Sequence, residues 1–207
     1  DTAWLQGKWE NVLKTVRYLQ SLRALRKTDV YRNGTAEQRA CYGLVPESIS
    51  HEGYSWKPQH SYWDDFFVIR GLKDAVSIAG ILGKLEEERE FVAERDDFRK
   101  DFYASMRAAM EFHHVPYIPG CVELGDFSGL STTIGISPCD ELGWIPEPAL
   151  TYTFDESYRQ FLGRKNNTVP WDAYLPYDAR FVGAYVILGQ KDRAYDILTY
   201  LMHDRRP

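Results

Sequence analysis

The chain has 207 residues, 44% of them hydrophobic and 14% aromatic, which is enough apolar material for one folded domain with a sizeable core over 1–207. Its formal charge of -5, with no Lys/Arg-rich tract, argues against a nucleic-acid footprint and suits an uncharged or sugar-like partner. No apolar run approaches the ~20 residues a membrane span needs, and no basic-then-apolar signal opens the sequence at Asp1.

In chain order, apolar positions at three and four from Leu5 through Trp9, Val12, Val16, Leu19 and Leu22 predict one amphipathic helix over 4–25. Residues 33–61 lack a sustained period and read as a long irregular loop with one helical turn near 35–39, and loops of that length are usually functional. The run from Phe66 to Leu82 is apolar on nearly every side, so a helix starting near Asp64 and ending at Gly83 is expected to be buried all round. An amphipathic helix over 85–113 follows, with Phe91, Phe98, Phe102, Met106 and Met110 on its inner stripe and His113-His114 complementing the dipole at its end. The pattern then repeats. A loop over 115–129 precedes a short apolar helix over 131–137 and an amphipathic helix over 154–164, and a loop over 166–176 precedes helices over 177–188 and 190–204.

Loop, buried helix and amphipathic helix therefore recur three times, which predicts an all-α array of helical hairpins. In such an array the loops preceding the inner helices share one rim. That geometry brings Asp64/Asp65, Glu123/Asp126 and Asp172/Asp178 to a common mouth where helix N-termini present partial positive charge. Within the mouth, the rings of Tyr62 and Trp63 are placed to stack on a pyranose, and Trp171 with Asp172 echoes Trp63-Asp64 as a second platform.

Asp64 and Asp65 are adjacent and point in different directions from a helix, so a catalytic partner must come from another loop. Glu123, between Gly120 and Gly125, is the preferred general acid, with Val122 and Leu124 expected to raise its pKa by burial. Asp126 reads first as a cap for the short inner helix, and Asp140 and Glu141 as structural. His51, Glu52, His60 and Asp64 permit a metal reading but match no tight ligand spacing, and a hydrogen-bonded loop is the simpler account. No cofactor is called for. Cys41, Cys121 and Cys139 form neither a disulfide framework nor a CxxC clip, so buried free thiols are expected, with a Cys121–Cys139 bridge as the alternative.

Several runs carry a family resemblance: Gly43-Leu44-Val45-Pro46, Ser50-His51-Glu52-Gly53-Tyr54, His60 to Asp65, Arg70-Gly71-Leu72-Lys73-Asp74-Ala75, Glu123-Leu124-Gly125-Asp126-Phe127, Ser131-Thr132-Thr133 and Asp204-Arg205-Arg206-Pro207. They resemble the six-hairpin glycosidase superfamily, and more closely a bacterial family of toroid-domain proteins often attached to discoidin-type modules. The resemblance implies an incomplete α/α barrel, about half of an (α/α)6 toroid, completed by further hairpins or by self-association. It also implies a periplasmic or extracellular setting. The activity implied is inverting glycoside hydrolysis of an oligo- or polysaccharide, with Glu123, Asp65 and Asp64 as the catalytic set. The expected substrate contacts are Tyr62, Trp63, His60, His51, Glu52, Tyr54, Asp126, Trp171 and Asp172. A polysaccharide lyase acting on uronic-acid polymers and a non-catalytic carbohydrate-binding fragment are the alternatives.

Overall fold

The predicted first helix is realised as α1, Thr2–Ala24, whose N-terminus is capped by the Asp1 side chain accepting from the Trp4 amide at 3.2 Å. A computed structural model describes residues 1–50, 53–169 and 176–203. Among them are nine α-helices and no strands. α1 is fastened near its C-terminus by a buried cation. Arg23 donates to the Gly43 carbonyl at 2.9 Å, pairs with Glu94, Asp97 and Asp101, and lies over the Phe98 ring. Burying that guanidinium is tolerated because every direction in which it donates meets an acceptor.

The segment after α1 holds two short helices, α2, Asp29–Asn33, and α3, Ala36–Ala40. α3 is the helical turn expected near 35–39, opened by a capping box between Thr35 and Gln38. α2 was not expected; its five residues are too few to show a period.

The core is the pair α4, Tyr62–Ile81, and α5, Leu85–His113, which double back on each other through Gly83 at a φ of 66° that favours glycine. Phe66, Ile69 and Leu72 of α4 meet Phe91, Phe98, Phe102 and Met106 of α5, all fully buried. Phe66 stands edge-on to Phe102 with centroids 5.0 Å apart, and Phe98 stacks on Phe102 at 5.6 Å. Burial around α4 is not complete, contrary to the reading of its apolar run: Phe67 and Ile81 face outward at 42% and 60% exposure.

α6, Gly129–Ile136, packs on α4 and on α8, Ala179–Ile187, so the three apolar helices lie in series. α7, Ala149–Lys165, and α9, Lys191–His203, pack beside α6 and α8 and against each other. Gly129 permits the close approach of α6 to α7, since a Cβ there would collide with Ser157 Oγ. α7 begins at Ala149 rather than near 154, because Pro148 leads directly into it and the Glu147 side chain accepts from the Thr151 amide in the first turn. All three cysteines are buried free thiols.

Candidate functional site

The loops that precede α4 and α6 lie side by side. The Tyr62 amide donates to the Gly120 carbonyl at 3.0 Å and the Val122 amide to the His60 carbonyl at 3.0 Å, while isolated bridges join Ser61 to Cys121 and Ser48 to Gln59. The extended stretch 59–61 is thus held between residues near 48 on one side and 120–122 on the other. This pairing places Glu123 at the same end of the molecule as Asp64 and Asp65.

At the centre is a dyad formed by His60 and Glu123. The Glu123 carboxylate accepts from the His60 backbone amide at 2.9 Å through Oε2 and faces the ring Nδ1 at 2.5 Å through Oε1. Arg26 Nε donates to the ring Nε2 at 2.9 Å, and the same guanidinium pairs with Glu47. Because Nε2 accepts from a cation, the ring proton sits on Nδ1 and is donated to Glu123. Burial works to raise the Glu123 carboxyl, but the hydrogen bonds from the His60 ring and backbone outweigh it and hold it below the ordinary carboxylate range. That reverses the direction expected from Val122 and Leu124, and it corrects the picture of Glu123 as a carboxyl kept protonated.

Asp65 is the opposite case. It is 1% exposed, and one oxygen faces the Val45 amide at a long 3.5 Å while Oδ2 meets no partner among the described residues. Burial, reinforced by the charge of Asp64, pushes its carboxyl well above the ordinary range. Asp64, one position earlier, accepts from Ser48 Oγ at 2.6 Å and Ser50 Oγ at 2.9 Å and so pins the incoming loop to the start of α4. Neither acid is the N-cap of α4, which is Ser61.

The remaining predicted contacts divide sharply. Tyr62 is fully buried, with its ring against Phe102 and its hydroxyl 3.0 Å from Ser105 Oγ, so neither face of the ring is open to a ligand. Tyr54 is also buried, and it donates to Asp126 Oδ2 at 3.0 Å while the Cys121 thiol approaches Oδ1 at 3.3 Å. Asp126 therefore braces the loop before α6, and the cap expected of it is supplied by Ser128, which accepts from the Ser131 amide. His51, Glu52, Trp171 and Asp172 lie outside the described residues.

Trp63 leads to the open part of the rim. It lines a cavity of about 370 Å³ together with Ser128 and Gly129 at the start of α6, Arg164 of α7, and Tyr177 and Asp178 at the approach to α8. The volume lies within the range of small-ligand pockets. The indole face is covered by a cation: the Arg180 guanidinium carbon is 5.3 Å from the Trp63 ring centroid and 5.5 Å from that of Tyr177. Tyr177 is the more exposed ring, at 38%. Asp178 accepts from Arg164 Nη1 at 3.0 Å, and burial raises its carboxyl against the opposing pull of that guanidinium. Asp178 belonged to the predicted mouth. Arg164 and Arg180 did not, since each reads as an ordinary charge on an amphipathic or apolar helix and only packing reveals where it points.

For a metal, the donors Cys41 Sγ, His60 Nδ1 and Glu123 Oε1 lie within 4.8 Å of one another. Using them would require the Cys41 thiol, which burial and then Glu123 push upward, to lose its proton, and Arg26 to release His60 Nε2. The donor set fits a hydrogen-bonded cluster better than an ion. Scans against protein-family models, curated proteins and solved structures found no match. The class defined by fold and geometry is an all-α helical-hairpin protein whose three apolar helices begin around one cavity.

Proposed function

We propose that this chain is a carbohydrate-active domain of glycoside-hydrolase type, built as part of an α/α toroid, which seats a saccharide in the cavity beneath Trp63, Tyr177 and Arg180. The observation that carries the reading is the convergence of the starts of α4, α6 and α8 on a single hollow lined by aromatic rings, hydroxyls and one elevated carboxyl. Tyr177 offers a partly exposed ring face for a pyranose, while Gln160 on the same wall offers an amide group for sugar hydroxyls. Asp178, the carboxyl that burial favours in its protonated form, is the group suited to assist a leaving alcohol. In this reading Glu123 and Asp65 serve the site from behind: both oxygens of Glu123 are committed to His60, and Asp65 is sealed in the core.

A saccharide-binding domain without hydrolysis is the second reading. It is favoured by the presence of a single carboxylate, Asp178, on the cavity wall among the described residues, where hydrolysis uses two. Binding and reducing-sugar release from a panel of neutral and acidic oligosaccharides separate the two. Hydrolysis lost in Asp178→Asn with binding kept supports the hydrolase. Binding that Tyr177→Ala weakens about tenfold, without turnover of any substrate, supports the binding domain. Failure of every oligosaccharide to bind overturns both.

A further inference from the structure

A second hollow, of about 620 Å³, lies away from the rim between the middle of α5 and Trp144, and it shares no lining residue with the first. Arg95, Arg99, Lys100 and Arg107 line it against one acid, Asp96. Two of these cations are already balanced. Arg99 forms a two-point pair with buried Glu141, at 3.0 and 2.8 Å, and Arg95 pairs with Asp96 at 2.8 Å. Lys100 and Arg107 are exposed and make no hydrogen bond or ion pair among the described residues. Trp144 stands over the same hollow. One face of its indole lies against Arg99, with the guanidinium carbon 4.7 Å from the ring centroid, yet the residue is 57% exposed.

We infer that this groove is a binding site for an acidic saccharide, in which Trp144 takes the apolar face of a sugar ring and Lys100 and Arg107 take its carboxylates. The assignment rests on the carbohydrate reading above for the chemistry of the ligand, and on separate residues for its place. On α5 the spacing of Lys100 and Arg107 is about 10 Å along the axis, and Arg95 extends the cationic row to about 18 Å, the reach of a short oligomer rather than of a single ion. Glu141 and Lys73 fix the wall from behind: Lys73 Nζ donates to the Cys139 and Asp140 carbonyls at 2.9 and 2.8 Å and so holds the loop that carries Trp144. The aromatic face therefore stands on a braced loop and the two cations rise from the middle of a packed helix, so binding orders their side chains but not the backbone beneath them. A nucleic acid fits less well, because the chain carries a net charge of -5 and no Lys/Arg-rich tract extends the patch.

The test uses the 207-residue chain with tetragalacturonate as probe, a neutral tetraglucan of equal length as control, and a single-stranded oligonucleotide of equal charge as competitor class, by calorimetry at low salt and at about 0.3 M salt. Expected is binding of the uronate oligomer that high salt weakens and that neither the neutral oligomer nor the oligonucleotide competes away. Lys100→Ala, Arg107→Ala and Trp144→Ala should each weaken it about tenfold, while Lys14→Ala, on the exposed face of α1 and outside both hollows, leaves it unchanged. All three groove positions are exposed, and circular dichroism verifies that the variants remain folded. The proposal is overturned by absence of uronate binding, by equal competition from the neutral oligomer or the oligonucleotide, or by loss confined to Tyr177→Ala, which would place the ligand in the rim cavity and leave that reading standing.

Discussion

Replacing Glu123 with Gln separates a residue that fastens the rim from one that takes part in chemistry. The carboxylate accepts two hydrogen bonds from His60, 2.9 Å from the backbone amide and 2.5 Å from the ring. A carboxamide has one oxygen for these two donors, so its NH2 must face either the amide N–H or the ring N–H. One charge-assisted bond is lost and a half-buried donor is left opposite another donor, a total of about 2–4 kcal/mol. For a chain of this length each kcal/mol moves the melting temperature by about 2–4 °C, so Glu123→Gln should melt about 4–16 °C below the parent at pH 7. The pH dependence has a definite sign. The folded-state pKa of Glu123 is lowered, so its contribution is present above the unfolded value near ~4.3 and is lost as pH falls through the folded value. The deficit of the variant is therefore largest at neutral pH and narrows on acidification. Thermal melts by circular dichroism between pH 3 and 8 measure both features. A variant that melts within 2 °C of the parent at pH 7, or a deficit that grows toward acid, would refute the latch.

Three further outcomes follow from the packing. Glu141→Gln removes the carboxylate shared by Arg99, Lys73 and Tyr103 and leaves two cations facing a neutral group, so denaturant melts should show a loss of about 3–5 kcal/mol, against under about 1 kcal/mol for Asp96→Asn at the exposed end of the same cluster. Asp65→Asn should be as stable as the parent below about pH 4 and more stable at pH 8: a carboxyl whose folded pKa is raised costs stability as pH rises past its unfolded value, and the amide does not titrate. A stability difference between the two that is independent of pH would contradict the burial of that carboxyl. Phe102→Ala, at the meeting point of Phe66, Phe98, Tyr62 and Tyr103, should lose about 3–5 kcal/mol in the same denaturant melts, and a loss under 1 kcal/mol would contradict the assignment of the core.

The helices were legible where length let a period show itself. α1 and α5 appear within two residues of their expected bounds, because their apolar stripes run through many turns. The five residues of α2 are too few for any period, and the start of α7 was hidden because Ala149 and Leu150 follow two prolines that read as loop. The meeting of Glu123 with the 60–65 segment followed from the expected common rim of the inner-helix loops, and the paired loops bring it about. The chemical state of each acid did not follow. A carboxyl beside Val122 and Leu124 looks apolar in sequence, yet the deciding neighbour is His60, brought across by loop pairing. Likewise Tyr62 next to Trp63 suggests a platform, but successive helical residues point in different directions, and Tyr62 turns toward Phe102 and Ser105 while Trp63 turns toward Arg180.

Arg180 lies between Trp63 and Tyr177, and so joins α4 to α8 across the hollow that α6 floors. A guest that competes for this guanidinium would draw on the same contact that holds the third hairpin against the first. If a saccharide seats there as proposed, its occupancy and the seating of α8 are linked through one guanidinium.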